Sequence, residues 1–222
     1  MAMAFQLIDL ENWDRKEFYE HFIKEVVCTY SITVNLDITG LKHERLYPAM
    51  IWLLTGTVNE MPEFRTSLTK EGLGIYDSMH PMYTVFNQEQ KNFSGIWSCY
   101  AENYSEFLNN YESDVAKYSK STRYTPKAGT PENAFNISML PWVEFTSCNI
   151  NVYDDGKFLL PIFTMASSLT ATGNAFCPWP FRCITLSATD TMWACLWRNC
   201  RKRSSAFLPD RLQMSDCGRI PA

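Results

Sequence analysis

The sequence predicts an α/β (α+β) two-layer sandwich. Three observations carry this: short alternating runs recur along the chain, helically spaced apolar faces separate them, and no repeat or linker divides it. Its 222 residues suffice for one domain with a full-sized core. Hydrophobic content of 46% with 14% aromatics marks a globular chain rather than a disordered one. A net charge of -4 gives no reason to expect nucleic acid or an anionic membrane as partner. No stretch approaches the ~20 apolar residues of a membrane span. Met1 to Asp9 reaches acidic residues without a basic n-region, so a cytoplasmic location is the expectation.

Asp14 to Glu25 carries Phe18, Phe22 and Val26 at helical spacing, with acids near its start where they suit the helix dipole. Cys28 to Asp37 alternates, with Tyr30, Ile32, Val34 and Leu36 on one side, as a half-buried strand does. Leu46 to Asn59 reads as a buried helix, with Pro48 tolerable in its first turn. Gly72 to Tyr76, Met82 to Phe86 and Gly95 to Cys99 read as short strands. Glu102 to Lys120 presents Tyr104, Phe107, Leu108, Tyr111, Val115 and Tyr118 as an amphipathic helix face, a packing stripe rather than a ligand box. Thr122 to Glu132, with Pro126, Gly129 and Pro131, is a loop. Three strand-like runs follow: Phe135 to Met139, Phe145 to Val152 and Phe158 to Met165.

Beyond Met165 the composition changes. Five of the eight cysteines lie there, with Trp179, Trp193 and Trp197, and basic residues outnumber acids seven to three. Cys177 with Cys183, or Cys195 with Cys200, lacks the paired short spacings of a zinc site, and no histidine follows Met165 to complete one. No metal is expected.

Out-of-frame coding accounts for this ending. When each triplet of Cys177 to Ala194 starts one base earlier, the permitted translation is Leu-Pro-Leu-Ala-Ile-Gln-Val-His-His-Ala-Val-Cys-Asp-Gly-Tyr-His-Val-Gly. Most positions merely allow that residue, but three force it: Trp179 before Pro180 gives Ala, Met192 before Trp193 gives Val, and Trp193 before Ala194 gives Gly. The hidden string contains His-His-x-x-x-Asp-Gly, which resembles the active-site motif of CoA-dependent acyltransferases. The in-frame part resembles the chloramphenicol acetyltransferases in Glu11 to Glu17, Cys28 to Ser31, Leu36 to Thr39, Tyr47 to Met50, Glu63 to Arg65, Tyr83 to Phe86, Pro131 to Glu132-Asn133, Ile137 to Trp142 and Leu160 to Met165. The resemblance spans residues 4 to 165. The chain therefore reads as residues 1–165, a family-like core, followed by residues 166–222, an out-of-frame tail with no domain of its own.

The resemblance implies a large mixed sheet flanked by helices, a homotrimer with active sites between subunits, and transfer of acetyl from acetyl-CoA to the 3-hydroxyl of chloramphenicol. It implies Ser147 as oxyanion donor, Tyr30 and Thr164 as substrate contacts, and Arg15 as partner of the motif aspartate. Gly40 to Leu46 is shorter than the family's usual connection.

An alcohol is a poor nucleophile at neutral pH, so an imidazole must take its proton as it attacks the thioester. The catalytic histidine is absent here. His21, His43 and His80 are the chain's histidines, and none has the motif's context. Pro178 and Pro180 suit neither a central strand nor a helix interior. The expectation is a chain without the family's last strand and helix, poorly soluble and catalytically inactive. The alternative is a non-catalytic remnant still holding chloramphenicol or CoA in part of the pocket.

Overall fold

The computed structural model describes residues 4–26, 28–41, 44–166, 169–171, 174–184 and 190–206. Within them the chain runs β1 (Phe5–Leu7), α1 (Lys16–Glu20), β2 (Thr29–Asp37), α2 (Leu46–Glu60), β3 (Thr66–Thr69), β4 (Gly72–Tyr76), β5 (His80–Asn87), β6 (Asn92–Trp97), α3 (Tyr104–Tyr118), β7 (Ala134–Leu140), β8 (Ile162–Ala166), β9 (Leu169–Ala171), β10 (Asn174–Ile184) and α4 (Asp190–Ala206). α1 continues as a π-helical turn over His21–Glu25. The large sheet has the order β2-β10-β8-β7-β5-β6, with β9 paired to β10, and β1-β4-β3 form a small separate sheet. β7 runs parallel to both β5 and β8 while the other ladders are antiparallel, so the sheet is mixed as expected.

α2 sits at the centre of the core. Met50, Ile51, Leu53, Leu54 and Val58 are fully buried, and the helix is covered on nearly every side. α3 packs more conventionally, burying Phe107 and Tyr111; Asn103 caps its start by accepting from the Glu106 N–H at 3.1 Å.

Three expectations need correction. Phe145–Val152 is not a strand. Residues 141–161 run irregularly across the molecule, tied to β2 by the Ser31–Asn149 side-chain bond and not by a backbone ladder. The run from Phe158 becomes a strand only at Ile162, immediately after Pro161, whose missing N–H places it at a strand boundary.

The third correction concerns the tail. The last strand and helix were expected to be missing, yet β10 lies inside the sheet between β2 and β8, and α4 packs on α2 with Leu196 and Cys200 fully buried. The two prolines fit because they are two residues apart, so their donor-less nitrogens face one edge. On the side toward β8 and β9 the register holds Asn174–Phe176 and Phe181–Arg182 and skips the proline stretch. The ladder is interrupted there, as two missing donors require. Helix α4 forms because Leu196, Cys200 and Ser204 recur every four residues as a buried face, with Asp190 at its first position.

Candidate functional site

Thr164 stands on β8 opposite Ser138 of β7, is 3% exposed, and its Oγ1 lies 3.0 Å from Ser138 Oγ. Its neighbour Phe163 points the other way, edge-on to Phe135 with ring centroids 5.6 Å apart, since side chains alternate along a strand. Ile32 and Phe163 stand level at one position of β10, and both belong to the core cluster. Residues opposed across a ladder share a face. Ser31 and Thr164 therefore share the opposite, polar face.

The irregular segment lies on that face. Ser31 Oγ donates to Asn149 Oδ1 at 2.7 Å, fixing the segment to β2. Toward its other end Trp142 packs edge-on against Phe86 of β5 at 4.6 Å. The segment thus crosses the sheet from β5 to β2. Ser147, exposed, precedes Asn149 by two residues, so its Cα lies within about 7 Å of Asn149's. β2 and β8 are two inter-strand spacings apart, roughly 10 Å, with β10 between them. Tyr30 takes its place in β2 opposite Cys183. Tyr30 and Thr164 therefore stand on strands separated by β10, and the Ser147 segment is tied to the outer one.

Position 184 lies one residue further along β10 than the partner of Tyr30. The out-of-frame reading puts its histidine pair at residues 184 and 185. Ile184 is the last residue of β10, paired with Thr29 beside Tyr30. Thr185 and Thr189, the latter at the motif's aspartate position, lie outside the described residues.

Arg15, half-buried at the start of α1, donates from Nη1 to Met192 Sδ at 3.4 Å, in the first turn of α4. Its guanidinium thus reaches the start of that helix.

The other histidines have different employment. His21 Nδ1 lies 2.8 Å from Glu25 Oε2 on the exposed face of its own helix. His80 Nδ1 accepts the Tyr100 N–H at 3.0 Å, and burial lowers its pKa below the usual histidine value. Its remaining nitrogen carries the proton in the neutral form, so it is a donor and not a base. His43 lies outside the described residues. A surface hollow bounded by Trp13, Glu17, Glu20 and Glu25 contains none of the expected site positions.

Ser138 and Asn149 were not foreseen. Ser138 had a legible signal, as a hydroxyl one residue past Ile137 in a strand whose neighbour carries Thr164. Asn149 closes the Phe145 to Asn149 run, but only the fold reveals its partner across the face.

Comparisons with known proteins agree on one group. The family model described as chloramphenicol acetyltransferase matches residues 3–184, running past Met165 and ending on the last residue of β10. A chloramphenicol acetyltransferase of Clostridium perfringens is 46% identical over 73% of this chain and 78% of the relative. One from Staphylococcus aureus is 40% identical over 81% of this chain and 89% of its own length. A solved chloramphenicol acetyltransferase superposes with a TM-score of 0.79 at 19% identity, covering 93% of this chain and all of that one. The dihydrolipoamide acetyltransferase of Azotobacter vinelandii shares the fold at a TM-score of 0.62 and 14% identity, over 85% of this chain and 86% of that one.

Proposed function

The chain belongs to the chloramphenicol acetyltransferase family, and on that footing we propose that it descends from an enzyme moving acetyl from acetyl-CoA to the 3-hydroxyl of chloramphenicol and is itself inactive. The observation that carries the inactivity is that Ile184 and Thr185 occupy the two positions where the out-of-frame reading has its histidine pair. Attack of a neutral alcohol on a thioester needs its proton removed in the same step, and a positioned base contributes roughly 10²–10⁴-fold. Neither residue has an imidazole to offer.

The other roles survive in part. Ser147 is the hydroxyl donor for the oxyanion of the tetrahedral intermediate, where preorganised donors act strongly. Thr164 is the antibiotic contact on the polar face of β8, and the resemblance adds Tyr30 of β2. Arg15, which braces the motif aspartate in the intact active site, retains its aim at α4 without that partner. A shift of one base after the Met165 codon accounts for all of these departures together.

The active unit is a homotrimer with pockets between subunits. Supporting this, Trp142, Val143, Ile150 and Tyr153 of the irregular segment are exposed, Tyr153 at 93%. Asp155 and Gly156 both have positive φ, 45° and 75°, and Lys157 N–H bonds Asp154 O at 2.8 Å. That geometry, readily adopted by Asp-Gly, closes two-stranded hairpins. A segment so shaped and so apolar suits the surface of a second copy.

A second reading, ligand binding without turnover, is favoured by the intact Thr164–Ser138 pair. The test is thiol release from acetyl-CoA in the presence of chloramphenicol, run beside equilibrium dialysis with labelled antibiotic. No release above the no-enzyme control is the expected result, and sustained release overturns the proposal. Saturable binding supports the second reading; its absence removes that reading.

A further inference from the structure

The large sheet has a seam. β10 is in register with β2 at nine positions, from Phe176↔Asp37 to Ile184↔Thr29. Among the described residues it meets β8 at two, Phe181↔Phe163 and Arg182↔Ile162. β2 is the outer strand. The β2–β10 pair is therefore a ribbon that lies against β8 but shares a shorter backbone ladder with it than its own two strands share.

Helix α4 touches both sides of that seam. On the ribbon, Ser204 Oγ donates to the Asp37 carbonyl at 2.8 Å. On the central helix, Cys200 Sγ donates to Thr57 Oγ1 at 3.3 Å, and Arg203 donates from Nε and Nη2 to Glu60 Oε1 at 2.8 and 2.6 Å. The Arg203 guanidinium also lies over the Trp52 ring, 5.6 Å from its centroid. Gly56 makes room for it, since a Cβ there would overlap both Arg203 and the Tyr100 hydroxyl. Hydrogen bonds between ions are stronger than neutral ones, so the Glu60–Arg203 link is the firmest polar contact among these.

We propose that α4 is a clasp across the seam, holding the β2–β10 ribbon to α2 and thereby fixing the spacing between Ser31 and Thr164 on the polar face. The clasp stands on the contacts above; only its effect on the pocket rests on the function proposed for the site. Hydrogen exchange read by mass spectrometry tests it on the full chain. In Arg203→Glu, amides of Thr29–Asp37 are expected to exchange faster by roughly tenfold or more, while those of β5 and β6 keep their protection. The swapped pair Glu60→Arg with Arg203→Glu is expected to restore the protection of β2. Gly56→Ala is expected to loosen the same strand by displacing the guanidinium. Unchanged exchange of β2 in Arg203→Glu overturns the clasp. Should Arg203→Glu unfold the whole chain, recovery in the swapped pair supports the clasp and failure to recover overturns it. Antibiotic binding is measured separately by dialysis, so failure of the pocket reading leaves the exchange result standing.

Discussion

Lys127 donates to Asp114 Oδ1 at 2.6 Å, tying the loop before β7 to the middle of α3. The pair is mostly covered, its side chains 17% and 16% exposed. Ser98 Oγ donates to the other carboxylate oxygen at 2.6 Å and pairs with Tyr83 Oη at 2.8 Å. Lys127 also donates to the Trp97 carbonyl and sits 4.0 Å above that ring's centroid. Truncating Lys127→Met leaves a covered carboxylate short of its counter-ion, and is expected to cost about 2–3 kcal/mol in urea unfolding. Replacing both members, Lys127→Met with Asp114→Leu, should recover part of that loss. Equal stability of Lys127→Met and the parent would mean the pair is solvated in solution.

His80 gives the chain a pH dependence of defined sign. Its Nδ1 accepts the Tyr100 N–H, a bond that protonation would abolish, and burial lowers its folded-state pKa from 6.5. Below pH ~6.5 the unfolded chain binds a proton that the folded one refuses, so stability falls as pH drops through that value toward the lower folded pKa. Above it the contribution is fully present. His80→Asn, with an amide oxygen available as acceptor, should flatten this part of the curve. Chemical unfolding at a series of pH values between about 5 and 8 measures the slope.

Cys200 reports on the seating of the last helix. Burial pushes its thiol up to about 12, against the hydrogen bond to Thr57. Thiolate is the reactive form, so native Cys200 should resist alkylation while exposed Cys99 reacts. Site-resolved mass spectrometry after a short iodoacetamide pulse distinguishes them. Equal labelling of the two before denaturant is added would show α4 detached.

Restoring the missing base after the Met165 codon should restore turnover. The expected gain over the chain as written is at least the roughly 10²–10⁴-fold that a positioned base supplies. The same assay on Ser147→Ala in the restored background should lose about 10²-fold or more, as removal of an oxyanion donor does. A restored chain with no thiol release would place the defect elsewhere.

Much of this fold was legible because periodicity reports burial. The α2 and α3 helices, and the strands β2 and β4 to β7, emerge near the expected bounds since their apolar spacing is set by the face they bury. Phe145–Val152 was misread because alternation indicates competence to pair, not that a ladder forms; β2 and β6 are outer strands, yet the segment pairs with neither. The tail was misread through Pro178 and Pro180, whose cost depends on ladder positions that no sequence displays. Of the site, the resemblance supplied Arg15, Tyr30, Ser147 and Thr164, whereas the Ser31–Asn149 bond joins residues 118 apart and required the fold.

Because β10 ends on position 184, any group placed there takes its bearing from a backbone track aligned with β2 to its final residue. Orientation at this point is thus a property of the main chain, independent of which side chain is mounted on it. A strand end aligned in this way offers a ready attachment point for a reactive group.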